Sequence, residues 1–176
     1  MGDSDKDEMK YNFEKADLSD LDFCLRAIDE GRAFQREQGF VQWADNYPDR
    51  GLIEEDIKTG IGHILYINGE KAGYVAVDFA GEPVYKDIKG RWNTGEPYVV
   101  IRRITFTRAF AGHGLSRIMF AAIDDFCRLH SLKNIRLNTG KENGRMQHSL
   151  INAGYSYCGT VVYRGVERLA YDKILL

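Results

Sequence analysis

Apolar positions along the chain change their period several times, and each change predicts an element. Tyr98, Val99, Val100 and Ile101 form an unbroken run that Ile104 and Phe106 continue, the pattern of a central strand covered on both faces. Beyond the turn at Gly112 and Gly114, apolar residues recur at Leu115, Ile118, Met119, Ala122, Phe126 and Leu129, which is helical spacing with one face for a core. Upstream, Tyr11–Ala16 alternates like a short strand. Asp17 or Ser19 can cap a helix that carries Leu21, Leu25 and Ile28 and reaches about Gln38. A shorter helix with Leu52, Ile53 and Ile57 is predicted after Tyr47–Pro48. Ile61–Ile67 and Ala72–Phe79 read as strands joined through Asn68–Gly69, a strong hairpin signal. Residues 81–96 read as a loop, 134–139 as a strand and 143–153 as a helix that stops at Gly154. A last hairpin, Tyr155–Tyr163 with Glu167–Ile174, turns at Arg164–Gly165. No repeat or linker interrupts this order, so one domain over 11–176 is expected behind a flexible polar leader, 1–10.

Composition narrows the classes. The 176 residues suffice for one real core, and 24 basic against 26 acidic residues leave a formal charge of -2. With no basic stripe, nucleic acid is not expected as a partner. Cys24, Cys127 and Cys158 are widely spaced without a Cys-x-x-Cys pair, which suits reduced thiols and a cytoplasmic chain. No apolar run approaches the ~20 residues of a membrane span. His63, His113, His130 and His148 lack ligand spacing, so no metal is expected. Asp3, Asp5, Asp7 and Glu14 mimic a calcium loop, but Glu8 stands where its glycine should be. Gly2 invites a myristoylation reading that Lys6 contradicts.

Candidate chemistry concentrates at the glycine turn. A helix opening at Leu115 presents N–H groups without intrahelical partners at the positive end of its dipole, worth about 0.3–1 kcal/mol to a phosphate before hydrogen bonds. Arg108, His113 and Arg117 add positive charge, and nothing acidic stands at the junction. Arg102 and Arg103 interrupt the apolar strand, where guanidiniums need partners. Alternation puts them on opposite faces unless a bulge intervenes. One of them, taken as Arg102, is a candidate for binding an acceptor carboxylate; a buried ion pair is the alternative. Trp43, Tyr47 and Trp92 are candidate walls of an acceptor pocket.

The run Ala111-Gly112-His113-Gly114-Leu115-Ser116 after the fourth main strand, with Asn143 opening a helix that closes on Gly154-Tyr155, resembles the GNAT superfamily of acyl-CoA-dependent N-acyltransferases. A bacterial subset is closer still, through Met146-Gln147-His148, Tyr157-Cys158-Gly159, and Gln42-Trp43 followed by Tyr47-Pro48. The resemblance implies an α/β (α+β) fold with a mixed, mostly antiparallel sheet splayed between its fourth and fifth main strands, helices on both faces. It implies acetyl-CoA as co-substrate, with pyrophosphate on the backbone of residues 111–116. Pantetheine would lie along Ile104 and Phe106 on one side and Asn143 on the other, with Arg145 toward the adenosine. Departures from the family pattern are Ala111 at the head of the turn, Leu150 where a proton-donating Tyr is usual and Val100 where some members carry a Glu base. Glu82, Asp87 and Glu96 are candidates to act through water. The implied activity is acetyl transfer to a primary amine of a small molecule or peptide terminus, with a non-catalytic acyl-CoA-binding module as the alternative. A Rossmann dehydrogenase fits less well, since the third glycine is missing. Oligomeric state stays open, with a homodimer through the C-terminal hairpin as one arrangement.

Overall fold

A computed structural model describes residues 9–176; Gly2, Asp3, Asp5, Asp7 and all of the leader but Met9 and Lys10 lie outside the described residues. Strand β1 (Tyr11–Lys15) leads into helix α1 (Leu21–Glu37) through a 3-10 turn at Leu18–Asp20, which Asp17 and Asp20 close with a capping box. Helix α2 (Arg50–Lys58) starts where the Asp49 carboxylate accepts the Leu52 N–H at 2.9 Å. The hairpin of β2 (Gly62–Ile67) and β3 (Glu70–Asp78) turns at Asn68 and Gly69, with φ of 50° and 82°. Both values match the mirror-image turn that suits strand twist.

The predicted loop 81–96 holds more order than its composition suggests: a 3-10 turn at Pro83–Asp87 and a two-residue strand, β4 (Lys89–Gly90). Then follow β5 (Val99–Phe106), α3 (Ser116–Leu129), β6 (Asn134–Gly140), α4 (Gly144–Asn152), β7 (Ser156–Tyr163) and β8 (Val166–Ile174). The strands form one sheet in the order β1-β2-β3-β5-β6-β8-β7-β4. Every pairing is antiparallel except β5 with β6, which the α3 crossover makes parallel.

Helices cover both faces. On one, Val75, Val77, Val99, Ile101 and Leu137 meet Met119 and Ile123 of α3 and Leu150 of α4. On the other, Ile64 and Tyr74 meet Cys24, Ala27 and Ile28 of α1 and Ile53 and Ile57 of α2. Each buried aliphatic side chain contributes about 1.5–3 kcal/mol, so the two layers fix the sheet firmly. α1 sits close on β5: a Cβ at Gly31 would come within 2.0 Å of Thr105 Oγ1, which donates to the Ala27 carbonyl at 3.0 Å. A smaller cluster of Tyr85, Val100, Val161 and Ala170 lies under the 82–98 segment. Among the described residues, no helix is long and apolar enough to cross a membrane.

Candidate active site

The site begins where β5 runs out. Gly112 and Gly114 take φ of 76° and 71°, left-handed values that cost an L side chain energy and that aim successive N–H groups to one side. α3 then starts at Leu115 with no side-chain cap. Among the described residues, the N–H groups from Gly112 through Arg117 find no acceptor; the next two, Ile118 and Met119, return to the Leu115 carbonyl at 3.0 and 3.2 Å. Ala111, Gly112, Gly114, Leu115 and Ser116 line a cavity of about 320 Å³ beside this N-terminus, with Phe34 and Phe40 forming an apolar wall. Arg145 lies at its rim, its guanidinium 5.3 Å from the Phe34 ring centroid. Arg108 is committed elsewhere: both its terminal nitrogens donate to Glu37, at 2.9 and 2.6 Å. His113 is exposed and outside the lining, so the turn's charge comes from backbone rather than imidazole.

The cavity continues into the sheet. β5 and β6 pair only at Val99 with Ile135 and Val100 with Arg136, and beyond these they separate. A second cavity of about 70 Å³ fills the gap and shares Gln35, Ile104, Asn143 and Met146 with the first. Asn143 belongs to both walls while its Oδ1 caps α4 by accepting the Met146 N–H at 3.2 Å. Gln42 reaches across from the α1–α2 connection. Its Oε1 accepts from Asn143 Nδ2 at 3.0 Å and from the Gly140 N–H at 3.2 Å, tying that connection to β6 and α4.

The arginine pair corrects strict alternation. Ala76 pairs with Arg102 but Tyr74 with Thr105, so Arg103 and Ile104 together oppose Val75 in a bulge, and Arg103 takes φ of 56°. Both guanidiniums therefore lie on the face away from α3. Arg103 forks onto Asp56 of α2, with Nε 2.8 Å from Oδ2 and Nη2 2.6 Å from Oδ1; the Tyr74 hydroxyl donates to the same carboxylate at 2.7 Å. Removing one partner of so buried a pair costs about 3–5 kcal/mol. Arg102, the candidate for an acceptor carboxylate, is engaged internally: Nε donates to Asp78 at 3.0 Å, Nη1 meets Glu82 at 2.7 Å and Nη2 donates to the Gly81 carbonyl at 3.0 Å. The ion-pair alternative is the arrangement found, and Glu82 is its partner rather than a carboxylate facing the cleft.

Trp43 and Tyr47 line the smaller cavity. Trp92 does not. Its Nε1–H donates to the Tyr85 carbonyl at 2.9 Å, and its ring packs 5.0 Å from Tyr85 with the Arg136 guanidinium 4.3 Å over it, so it supports the segment behind the cavity. Asp87 and Glu96 are exposed and line neither cavity. Two residues beside the last hairpin turn, Tyr163 and Arg168, join the lining although nothing in their spacing singles them out. The Tyr163 hydroxyl lies 3.2 Å from that of Tyr47, and burial pushes its pKa up to about 12. Three guanidiniums and no carboxylate line this smaller cavity.

No protein-family model matches the sequence, and comparison with curated proteins finds no match. Solved structures do. A GNAT-family acetyltransferase from Streptococcus agalactiae is 33% identical, with 94% of this chain and 96% of that one covered and a TM-score of 0.86. A GNAT-family acetyltransferase from Listeria monocytogenes, 22% identical, covers 94% and 95% with a TM-score of 0.74. An aminoglycoside acetyltransferase in complex with coenzyme A and kanamycin shares the fold at 16% identity, TM-score 0.69, over 94% of this chain and 95% of that one. With the glycine turn, the uncapped α3 and the splayed β5–β6 pair in place, and a one-third-identical relative matched almost end to end, the chain belongs to the GNAT family of acetyltransferases.

Proposed function

We propose that this chain transfers an acetyl group from acetyl-CoA to a primary amine of a small molecule or peptide terminus. The observation that carries the reading is the unpartnered N–H run from Gly112 to Arg117, opening on a cavity continuous with the cleft between β5 and β6. The residues fit the cofactor: backbone at 111–116 for pyrophosphate, Ile104, Phe106 and Asn143 along a pantetheine arm, and Arg145 at the nucleotide end. Structures of fold neighbours with coenzyme A or acetyl-CoA support the same reading. Buried, unpaired Cys24, Cys127 and Cys158 support a cytoplasmic setting.

Acetyl-CoA supplies an activated thioester, from which the C–S bond breaks as the amine nitrogen bonds to the carbonyl carbon. The amine loses a proton to solvent and the departing sulfur gains one. Leu150 and Val100, at the family's usual proton-handling positions, are fully buried apolar side chains. Tyr163, held protonated at neutral pH, can donate to sulfur but cannot serve as base. Proton transfer is worth about 10²–10⁴ in rate, whereas positioning supplies about 7–11 kcal/mol, so a cleft that orients the reactants suffices for turnover.

Thiol release from acetyl-CoA, screened over amino acids, polyamines, aminoglycosides and peptides, tests the proposal. Amine-dependent release is expected. Tight acetyl-CoA binding with no release for any amine would instead identify a non-catalytic acyl-CoA-binding module, the reading that Leu150 and Val100 favour.

A further inference from the structure

Among the buried arginines, Arg168 stands apart. Only 7% exposed, it lines the smaller cavity, yet no carboxylate among the described residues lies within ion-pair distance. Its Nε–H has no partner, and its contact through Nη2 is with the Gln42 carbonyl at a long 3.4 Å. The register explains the isolation. Arg168 sits opposite Gly140 on β6 and Val161 on β7, neither of which can answer a charge, while the neighbouring Glu167 points the other way and pairs with Lys141. By contrast Arg32 has an aspartate and three carbonyls, Arg102 two carboxylates and Arg103 a bidentate one; Arg136, whose Nε is likewise unpartnered, has a carbonyl at 2.8 Å and two aromatic faces at 4.3 and 4.0 Å, where Arg168 has its long carbonyl contact and one ring at 5.7 Å. A buried guanidinium left so under-partnered is destabilising by itself, and its fork matches an oxyanion.

We propose that Arg168 binds an anionic group, a carboxylate or phosphate, carried by the acceptor amine. This rests on the acyl-transfer reading and deepens it. Arg102 and Arg103 have their negative charge built in; Arg168 does not, which leaves the cavity lining with one uncompensated positive charge. Tyr47 and Tyr163, whose hydroxyls meet beside it, supply neutral hydrogen-bonding groups around the same point. The same field repels polycations, so aminoglycosides and polyamines are the wrong charge for this cavity.

Matched acceptors test it: glycine against glycinamide, tyrosine against tyramine, phosphoethanolamine against ethanolamine, with spermidine and kanamycin as cationic arms. At least one anionic member should be preferred, and the carboxylate and phosphate pairs tell which oxyanion is meant. Arg168→Gln should lower the kcat/KM ratio of that anionic acceptor to its uncharged partner by about 10- to 150-fold, the loss of a charge-assisted contact. Arg168→Lys, which keeps the charge without the fork, should fall between and serves if the glutamine variant does not fold. Preference for uncharged or cationic amines in every pair, or an unchanged ratio in the variants, overturns the inference while leaving the transferase reading intact. If acetyl-CoA binds but no amine releases thiol, the transferase reading fails instead. Calorimetry with N-acetylglycine and phosphoethanolamine on the CoA complex then decides: binding that Arg168→Gln weakens supports the anion site, and no binding overturns it.

Discussion

His63 shows how one side chain can tie stability to pH. Its ring stacks on Phe13 with centroids 4.9 Å apart and meets Phe126 edge-on at 4.7 Å. Nδ1 lies 2.8 Å from the Ile61 carbonyl, which can only accept, so Nδ1 carries the hydrogen and Nε2 is a buried lone pair without a partner. Protonating Nε2 would put a charge among phenyl rings. Burial accordingly holds the His63 pKa below its ordinary 6.5, and Lys15 and His130 push it the same way. Between that lowered value and 6.5 the unfolded chain binds more protons than the folded one, so the stabilisation is complete above pH 6.5 and fades as pH falls below it. His63→Phe keeps the stack and removes the titration. The variant's melting temperature is therefore expected to fall less than the wild type's between neutral pH and about pH 5. Equal slopes for the two proteins would assign the acid sensitivity to other groups.

At the scale of elements, the glycine turn and its helix act as one unit. Because Gly114 takes φ of 71° and a Cβ there would meet nothing within 4 Å, what glycine provides is backbone conformation and an approach free of side chain. Gly114→Asp adds strain, bulk and a negative charge where pyrophosphate is proposed to sit, whereas His113 is exposed. Calorimetry is expected to show acetyl-CoA binding weakened far more by Gly114→Asp than by His113→Ala; the opposite ranking would make the imidazole the phosphate ligand. This unit was legible in the sequence because glycine spacing and helical periodicity are local signals. So were the hairpins at Asn68–Gly69 and Arg164–Gly165, where both turn residues take positive φ. The orientation of Arg102 and Arg103 was not, since a one-residue bulge, set by how β3 and β5 align, reverses parity for everything beyond it. Trp92 misled because an aromatic in a polar loop reads the same whether it faces a cleft or props Tyr85 from behind. Arg168 gave no local sign at all: its lack of a carboxylate partner among the described residues follows from standing between Gly140 and Val161, a fact of sheet register that joins three distant segments.

The whole molecule is two half-sheets joined by a short parallel contact, and what spans the opening decides how firmly they hold. β1, β2, β3 and β5 with α1 and α2 form one half; β6, β8, β7 and β4 with α4 form the other, and β5 and β6 meet at two residue pairs. Gln42 is one bridge, linking the α1–α2 connection to Gly140 and Asn143. Acetyl-CoA, lying along the same opening, would be a longer one. A ligand that binds only the folded chain stabilises it by mass action, about 2.7 kcal/mol at a hundred times its dissociation constant. For a domain of this size that corresponds to a rise in melting temperature of roughly 5–10 °C. In the proposed pose the two ends of acetyl-CoA would address different parts of the cleft, the nucleotide end the α3 N-terminus and the acyl end the β5–β6 gap. ADP alone and S-acetylpantetheine alone should therefore each shift the melting point less than the intact molecule does, because the linked halves hold each other at high effective concentration. Equal shifts from ADP and acetyl-CoA would confine binding to the glycine turn and leave the gap between the strands without a role in holding the cofactor. No shift at millimolar acetyl-CoA would remove the acyl donor from the proposed reaction.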